Sequence, residues 1–354
     1  MRLARAGDRL RRLVTTRTSI TLAGVSLLLS LLAMWVCVYV AGADPYHALT
    51  AMFRGAFQSR WALTSTLSEW VAITLSGLAV LIPYRAGFFN VGGQGQLEMG
   101  GLAAAVVIIY FDAAPALVMA AALAACVLAG AVTVGLPLLL RLGRGASEVT
   151  TTIMVNFAAL RLMYAMITGP LQDPGAWYGT TPIVPSALRL QSFPAGSGIP
   201  VGLFVAVGLA VGAWWLLNST VFGLHLRAVG GNRPAAAAAG IPAERVLIKA
   251  VLLGAALAGL AGGFQYLGHT FRVAEGWSKT WGLVGIPVAL LGGSPLGVLL
   301  VGFLFAVLET GSRSMQALTG VPAALVFMFQ GLPVIIYLAL GAGLRRMGKA
   351  ADSK

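Results

Sequence analysis

"RAGFFNVGGQGQLEMGG", residues 85–101, interrupts two strongly apolar stretches with three side-chain amides, one carboxylate and six glycines. Residues 70–84 lead into it and residues 95–110 lead out of it, and the two runs with the turn between them read as a hairpin. Glycine weakens a helix and permits positive φ and close backbone approach. Backbone that leaves helical geometry inside a hydrocarbon layer is tolerated only where protein or a water-filled cavity covers it. The stretch therefore predicts a membrane-embedded turn that lines a passage. A second broken pair recurs at 282–311, where Gly292-Gly293-Ser294-Pro295 follows about ten apolar residues, enough for only about 15 Å of helix. Short glycine- or proline-interrupted segments at corresponding positions of two halves point to the solute site of a transporter.

The rest of the chain agrees. Of its 354 residues 58% are hydrophobic and 10% charged, against roughly 25% charged in soluble domains. Windows of about 20 apolar residues recur throughout, each able to cross a bilayer as helix. Sixteen of the 24 Lys and Arg fall in residues 1–18, 141–148, 218–249 and 345–354. Short loops enriched in this way are cytoplasmic under the positive-inside rule. The net charge of +13 is thus a matter of topology, and nucleic acid is excluded as a partner. Cys37 and Cys126 both lie in apolar runs, and His47, His225 and His269 are far apart, so neither a disulfide nor a metal site is expected.

These features predict an all-α polytopic membrane protein in a single domain, 1–354. About eight full transmembrane helices plus one short-helix hairpin are expected, roughly eight to ten in total, in two related halves with glycine-broken helix pairs. The run from Ile20 to Ala41 is too long for a signal h-region and reads as an uncleaved first span. Asp44-Pro45 starts a helix over 45–60 in which Leu49, Phe53, Ala56 and Phe57 recur at helical spacing; it reads either as an amphipathic helix at the outer interface or as a loop helix facing water. Three crossings connect 44 to 141, and spans follow at 149–168, 199–217, 246–267 and 322–343. The hairpin 282–311 starts and ends outside. Residues 1–18, the loop 218–245 and the tail 344–354 are cytoplasmic.

Candidate passage residues are Phe88, Phe89, Asn90, Gln94, Gln96, Glu98, Asn156 and Gln330. The amides donate and accept hydrogen bonds, which suits an uncharged polyhydroxylated or heterocyclic solute, and the two phenylalanines offer stacking faces. A second reading stays open, in which glycines pack helices tightly and amides bond across them. Glu98 is either a functional carboxylate at membrane depth or an ion-pair partner of Arg85 near the surface. Trp277 and Trp281 read as interface anchors. In "FGLHLRAVGGNRPAAAAAGIPAERV", Asn232 caps, Pro234 opens and Gly240 stops a short exposed helix, a shape suited to a groove on a partner protein. No G-x-x-x-x-G-K-[ST] loop and no nucleophile-base pair or metal cluster is present, so the chain is not expected to be an enzyme.

"YRAGFFNVGGQGQLEMGGLAAA", "EVTTTIMVNFAALRLMYAMITGPLQDP", "FGLHLRAVGGNRPAAAAAGI" and "GVPAALVFMFQGLPVI" together resemble bacterial ABC-transporter permeases of the nucleoside and simple-sugar import group, relatives of the ribose and branched-chain amino acid permeases. The resemblance runs from about Leu67 to Ala342. It implies a second permease subunit, like or unlike, two cytoplasmic ATP-binding subunits, an extracytoplasmic solute-binding protein and a place in the bacterial cytoplasmic membrane with both termini cytoplasmic. ATP would be bound by the partners, and no cofactor by this chain. It further implies that 227–241 is the coupling helix that contacts the ATPase, through Arg227, Gly230, Asn232, Ala235, Ala236, Gly240 and Ile241. Gly231 stands where the family commonly has an acidic residue, and the alanines are more continuous than usual. The implied function is ATP-driven nucleoside import by alternating access. A monosaccharide such as ribose is the alternative, and an ion-coupled secondary transporter, for which only Glu98 could serve, ranks behind both.

Overall fold

The computed structural model describes residues 21–340 apart from 23, 27, 195, 323, 324, 326, 327 and 329. The segments expected to be cytoplasmic at 1–18 and 344–354 lie outside the described residues. Helix α1 (Gly24–Val40) meets α2 (Pro45–Phe57) at a bend of 117°. The bend follows from local chemistry: Asp44 accepts from the Tyr46 N–H at 2.8 Å and Pro45 opens the helix. α2 buries Ala48, Ala51, Met52 and Ala56 and exposes Tyr46, Phe53 and Phe57, so of the stripe Leu49, Phe53, Ala56 and Phe57 read from sequence only Ala56 is buried and the helix turns a smaller-residue face inward.

Helix α3 (Arg60–Tyr84) is followed by α4 (Gly93–Tyr110), α5 (Pro115–Thr133), α6 (Gly135–Arg144) and α7 (Glu148–Ile167). A long connection containing a single 3₁₀ turn (Ser186–Leu188) leads to α8 (Val201–Ser219), α9 (Val221–Gly231), α10 (Arg233–Ala238) and α11 (Ala243–Gln265). α11 runs on into a π-turn, Tyr266–Thr270, and α12 (Trp281–Gly292), α13 (Pro295–Thr319) and α14 (Gln330–Leu340) follow as the last described helices. Among the described residues six helical stretches are long and apolar enough to cross a membrane: α3, α5 with α6, α7, α8, α11 with its π-turn, and α13; α1 with α2 makes a seventh if that bent pair is one span.

Burial sorts the spans into centre and periphery. In the apolar window of α3, 89% of residues are buried, against 28% in α5–α6, α7 and α8. α3 is wrapped by α8, α11, α12 and α13, as a helix apolar on all sides must be in the middle of a bundle. The outer helices present Leu128, Val132, Phe157, Leu162 and Trp215 to the surroundings. Between α4, α5 and α11 the backbones touch. A Cβ on Gly259 would lie 2.1 Å from the Cys126 carbonyl, and one on Gly100 equally close to the Gly259 carbonyl.

Two expectations are corrected. The first broken pair does not form a hairpin: α3 is 25 residues long, about 37 Å of helix, and α4 packs on α5, α7 and α11 with little contact to α3. In the second, α12 is short at 12 residues, but α13 has 25 and is a full span. Hydropathy falls at Glu309, which suggested an end near 311; Glu309 and Ser312 are instead buried and hydrogen-bonded, and the helix continues to Gly320 at φ +71°. The two breaks converge: the Arg85 guanidinium donates to the Gly293 carbonyl. Gly230 presses on the Arg85 carbonyl from the other side, so Arg85, the α12–α13 turn and α9 share one end of the bundle. Arg227 and Arg233 lie at this end, on α9 and α10. At the α6–α7 junction Arg141 pairs with Glu148 at 3.3 Å.

Candidate functional site

Leaving α3, the chain turns at Gly87 (φ +83°) and runs without helical bonds until Gly93. Those backbone groups need partners, and the amides supply them. The Asn90 and Gln96 side chains exchange two hydrogen bonds of 3.0 Å. Asn90 also accepts from the Gly92 N–H at 3.1 Å and donates to the Ala79 carbonyl at 3.3 Å. Asn156, from the middle of α7, accepts from the Gly95 N–H at 2.8 Å and donates to the Val91 carbonyl at 2.9 Å. Gly95 allows this approach, since a Cβ there would be 2.9 Å from Asn156 Oδ1. Phe88 is fully buried, while Phe89 is half-buried edge-to-face with Tyr84, their centroids 5.9 Å apart.

One turn further, Gln94 and Glu98 bind the segment that precedes α12. The Gln94 amide donates to Ser278 Oγ at 2.7 Å and to the Lys279 carbonyl at 3.1 Å, and accepts from the Gly282 N–H at 3.0 Å. Glu98 is 1% exposed. It accepts from Trp277 Nε1 at 2.6 Å and from the Ser278 hydroxyl. Arg85 is not its partner, which removes the surface ion-pair reading. Trp277 and Trp281, at 8% and 1% exposure, are interior residues rather than interface anchors.

Lys279 extends this segment to a second carboxylate. Its ammonium donates to Glu69 of α3, which is 2% exposed, and Thr310 Oγ1 of α13 donates to the other Glu69 oxygen at 3.1 Å. Lys279 has φ +48°, a conformation costly for a non-glycine residue, and its Nζ lies 5.0 Å from the Trp281 ring centre. Nearby on α13, Glu309 accepts from Gln330 Nε2 at 3.1 Å. The passage candidates thus fall into two groups: Asn90, Gln94, Gln96, Glu98 and Asn156 around the start of α4, and Gln330 apart from them beside Glu309. Sequence reading missed Glu69, Lys279, Thr310 and Glu309. A span taken to begin at residue 70 left Glu69 outside it, although a carboxylate one residue before that run was the available signal.

Beside Glu69 a cavity of about 480 Å³ opens between α2, α3, α13 and the π-turn. Glu69, Ser65, His269 and Thr310 line it, with Arg54 and Arg313 exposed along its edge.

At the opposite end of α3, the short helix α10 forms as its caps predict. Asn232 Oδ1 accepts from the Ala235 N–H at 3.0 Å, and Gly240 (φ +79°) closes the turn as the Ile241 N–H reaches the Ala236 carbonyl at 3.0 Å. Ala236 faces inward, whereas Ala235 and Ala237–Gly240 are exposed. Arg227 donates to the Leu217 carbonyl, tying α9 to the end of α8.

Residues 62–338 match the family described as branched-chain amino acid transport system / permease component. The chain is 34% identical to the glucose ABC transporter permease protein TsgB13 of Haloferax volcanii, over 90% of this chain and 87% of that one. It is 33% identical to the guanosine ABC transporter permease protein NupP of Bacillus subtilis, over 92% and 94% of the two chains. It is 32% identical to the nucleoside ABC transporter permease protein NupB of Lactococcus lactis, over 80% and 81%. A helical, polytopic chain similar to these permeases along almost its whole length belongs to the permease component family of ABC transporters, whose members are the membrane-spanning, non-enzymatic subunits of such systems.

Proposed function

We propose that this permease imports nucleosides across the bacterial cytoplasmic membrane, paired with a second permease subunit, two cytoplasmic ATP-binding subunits and an extracytoplasmic solute-binding protein. The observation that carries the nucleoside reading is the near end-to-end similarity to the guanosine permease of Bacillus subtilis. The equally extensive similarity to the glucose permease of Haloferax volcanii favours a monosaccharide as the second reading.

The basic end of the bundle is the cytoplasmic one under the positive-inside rule, which puts both termini inside. There α10 is the coupling element, with Asn232, Ala235 and Gly240 toward the ATPase and Arg227, Gly230, Ala236 and Ile241 toward the bundle. Gly230 rests on Arg85, and Arg85 holds Gly293. A push on α10 is therefore delivered to both glycine breaks at once. Rocking about these breaks alternates access to a passage framed by Phe88, Phe89, Asn90, Gln94, Gln96, Glu98 and Asn156, with Gln330 in the outer half. The polar side chains of this frame are spent on the protein's own backbone and loops, so they shape the wall and leave solute contact to other groups.

Uptake of radiolabelled guanosine, ribose and glucose by cells with and without the gene, its neighbouring transporter genes present, tests the assignment. Loss of guanosine uptake alone is the expected result. Loss of sugar uptake alone would replace the substrate by the second reading.

A further inference from the structure

We propose that the cavity between α2, α3, α13 and the π-turn is a binding site of this subunit for the transported solute, and that the solute is uncharged and rich in hydroxyls. The proposal deepens the importer reading above and rests on it. At about 480 Å³ the cavity falls within the usual range of small-molecule pockets, roughly 300–1,000 Å³, and holds a molecule of nucleoside or monosaccharide size. It lies at the end of α3 remote from α10, toward the side from which a binding protein would deliver.

Its wall selects by charge. The deep side carries Glu69, whose carboxylate is already matched by Lys279 and Thr310. An anionic solute would have to sit against that carboxylate, and a cationic one would have to pass Arg54 and Arg313 at the edge. Neither sign gains a buried counter-charge, because Lys279 is committed to Glu69. What remains on offer are hydrogen bonds: the spare lone pairs of Glu69, the His269 imidazole and the Thr310 hydroxyl oxygen. Hydroxyl groups of a ribosyl or hexosyl ring both donate and accept, and satisfy this set.

The backbone supports a role beyond packing. Lys279 holds a left-handed conformation while linking the Glu69 wall to the Trp277–Ser278 pair that grips Glu98. Strain retained in a membrane interior at a charged residue marks a position whose geometry is used. Occupancy of the cavity is thereby connected, through one three-residue segment, to the start of α4.

The test reads occupancy directly. In the assembled transporter with Cys37 and Cys126 replaced by serine, a single cysteine is introduced as Ser314→Cys or, separately, as Gln58→Cys; both positions line the cavity. The rate of alkylation by a charged maleimide is measured without solute and with millimolar guanosine, ribose, glucose or glutamate. The expected result is at least threefold slower labelling with guanosine or with a sugar, no effect of glutamate, and no protection of a control cysteine at Gly231→Cys. Protection by guanosine identifies a nucleoside site, and protection by ribose or glucose alone identifies a sugar site. Equal labelling with and without every solute at both positions would overturn the proposal. Uptake by the same preparations judges the importer reading separately, since transport without protection removes only this site.

Discussion

Glu98 spends its carboxylate on an indole N–H and a hydroxyl rather than on a cation. Replacing it by alanine leaves two buried donors unmatched, at about 1–3 kcal/mol each. Glu98→Ala is expected to lower the melting temperature of the detergent-solubilised transporter by several degrees. Glu98→Gln keeps an acceptor for Trp277 and reverses the Ser278 contact, the new amide N–H donating to the hydroxyl oxygen, so uptake should stay near wild type, ATP-dependent and indifferent to a proton uncoupler. Loss of activity in Glu98→Gln, with stability intact, would revive a titrating role. That the residue is buried and polar was legible in its setting among glycines. Which groups it binds was not, because Trp277 and Ser278 lie about 180 residues away and hydropathy carries no information about which loop returns to which helix.

At the scale of elements, α5, α7, α8 and α11 appear close to where apolar runs placed them, since each is long, apolar and bounded by caps or proline. α3 and α13 extend beyond the runs because polar residues within them, Glu69 and Glu309, are satisfied by other helices, which a sequence window counts as an end. Lys279 and Glu69 join α3 to the segment that precedes α12. Lys279→Met should destabilise the fold by about 3–5 kcal/mol by leaving a buried carboxylate unpaired, and adding Glu69→Gln should recover most of that. Thermal unfolding of the single and double variants checks it; additive losses would mean the pair is not coupled. Gly259→Ala drives a Cβ into the Cys126 carbonyl and is expected to cost about 1–3 kcal/mol, read as reduced yield of folded protein.

For the whole molecule, the contact with the ATPase is predicted to depend on the exposed surface of α10. Ala235→Asp combined with Ala237→Asp should abolish co-purification of the ATP-binding subunit while the permease still melts at its normal temperature. Retained assembly would place the contact elsewhere. The existence of this helix was readable from Asn232, Pro234 and Gly240, which act on neighbouring residues. Its mechanical connection to Arg85 and Gly293 was not, since that arises from three distant turns meeting at one end of the bundle. The pairing of Glu69 with Lys279 also sets an order of events during synthesis. The two are separated by 210 positions, and at roughly 5–20 residues per second the ribosome needs roughly 10–40 s to travel between them. For that interval α3, destined for the centre, is without its cation, α12 and α13. A newborn α3 therefore waits with its carboxylate uncompensated until the segment around Lys279 arrives.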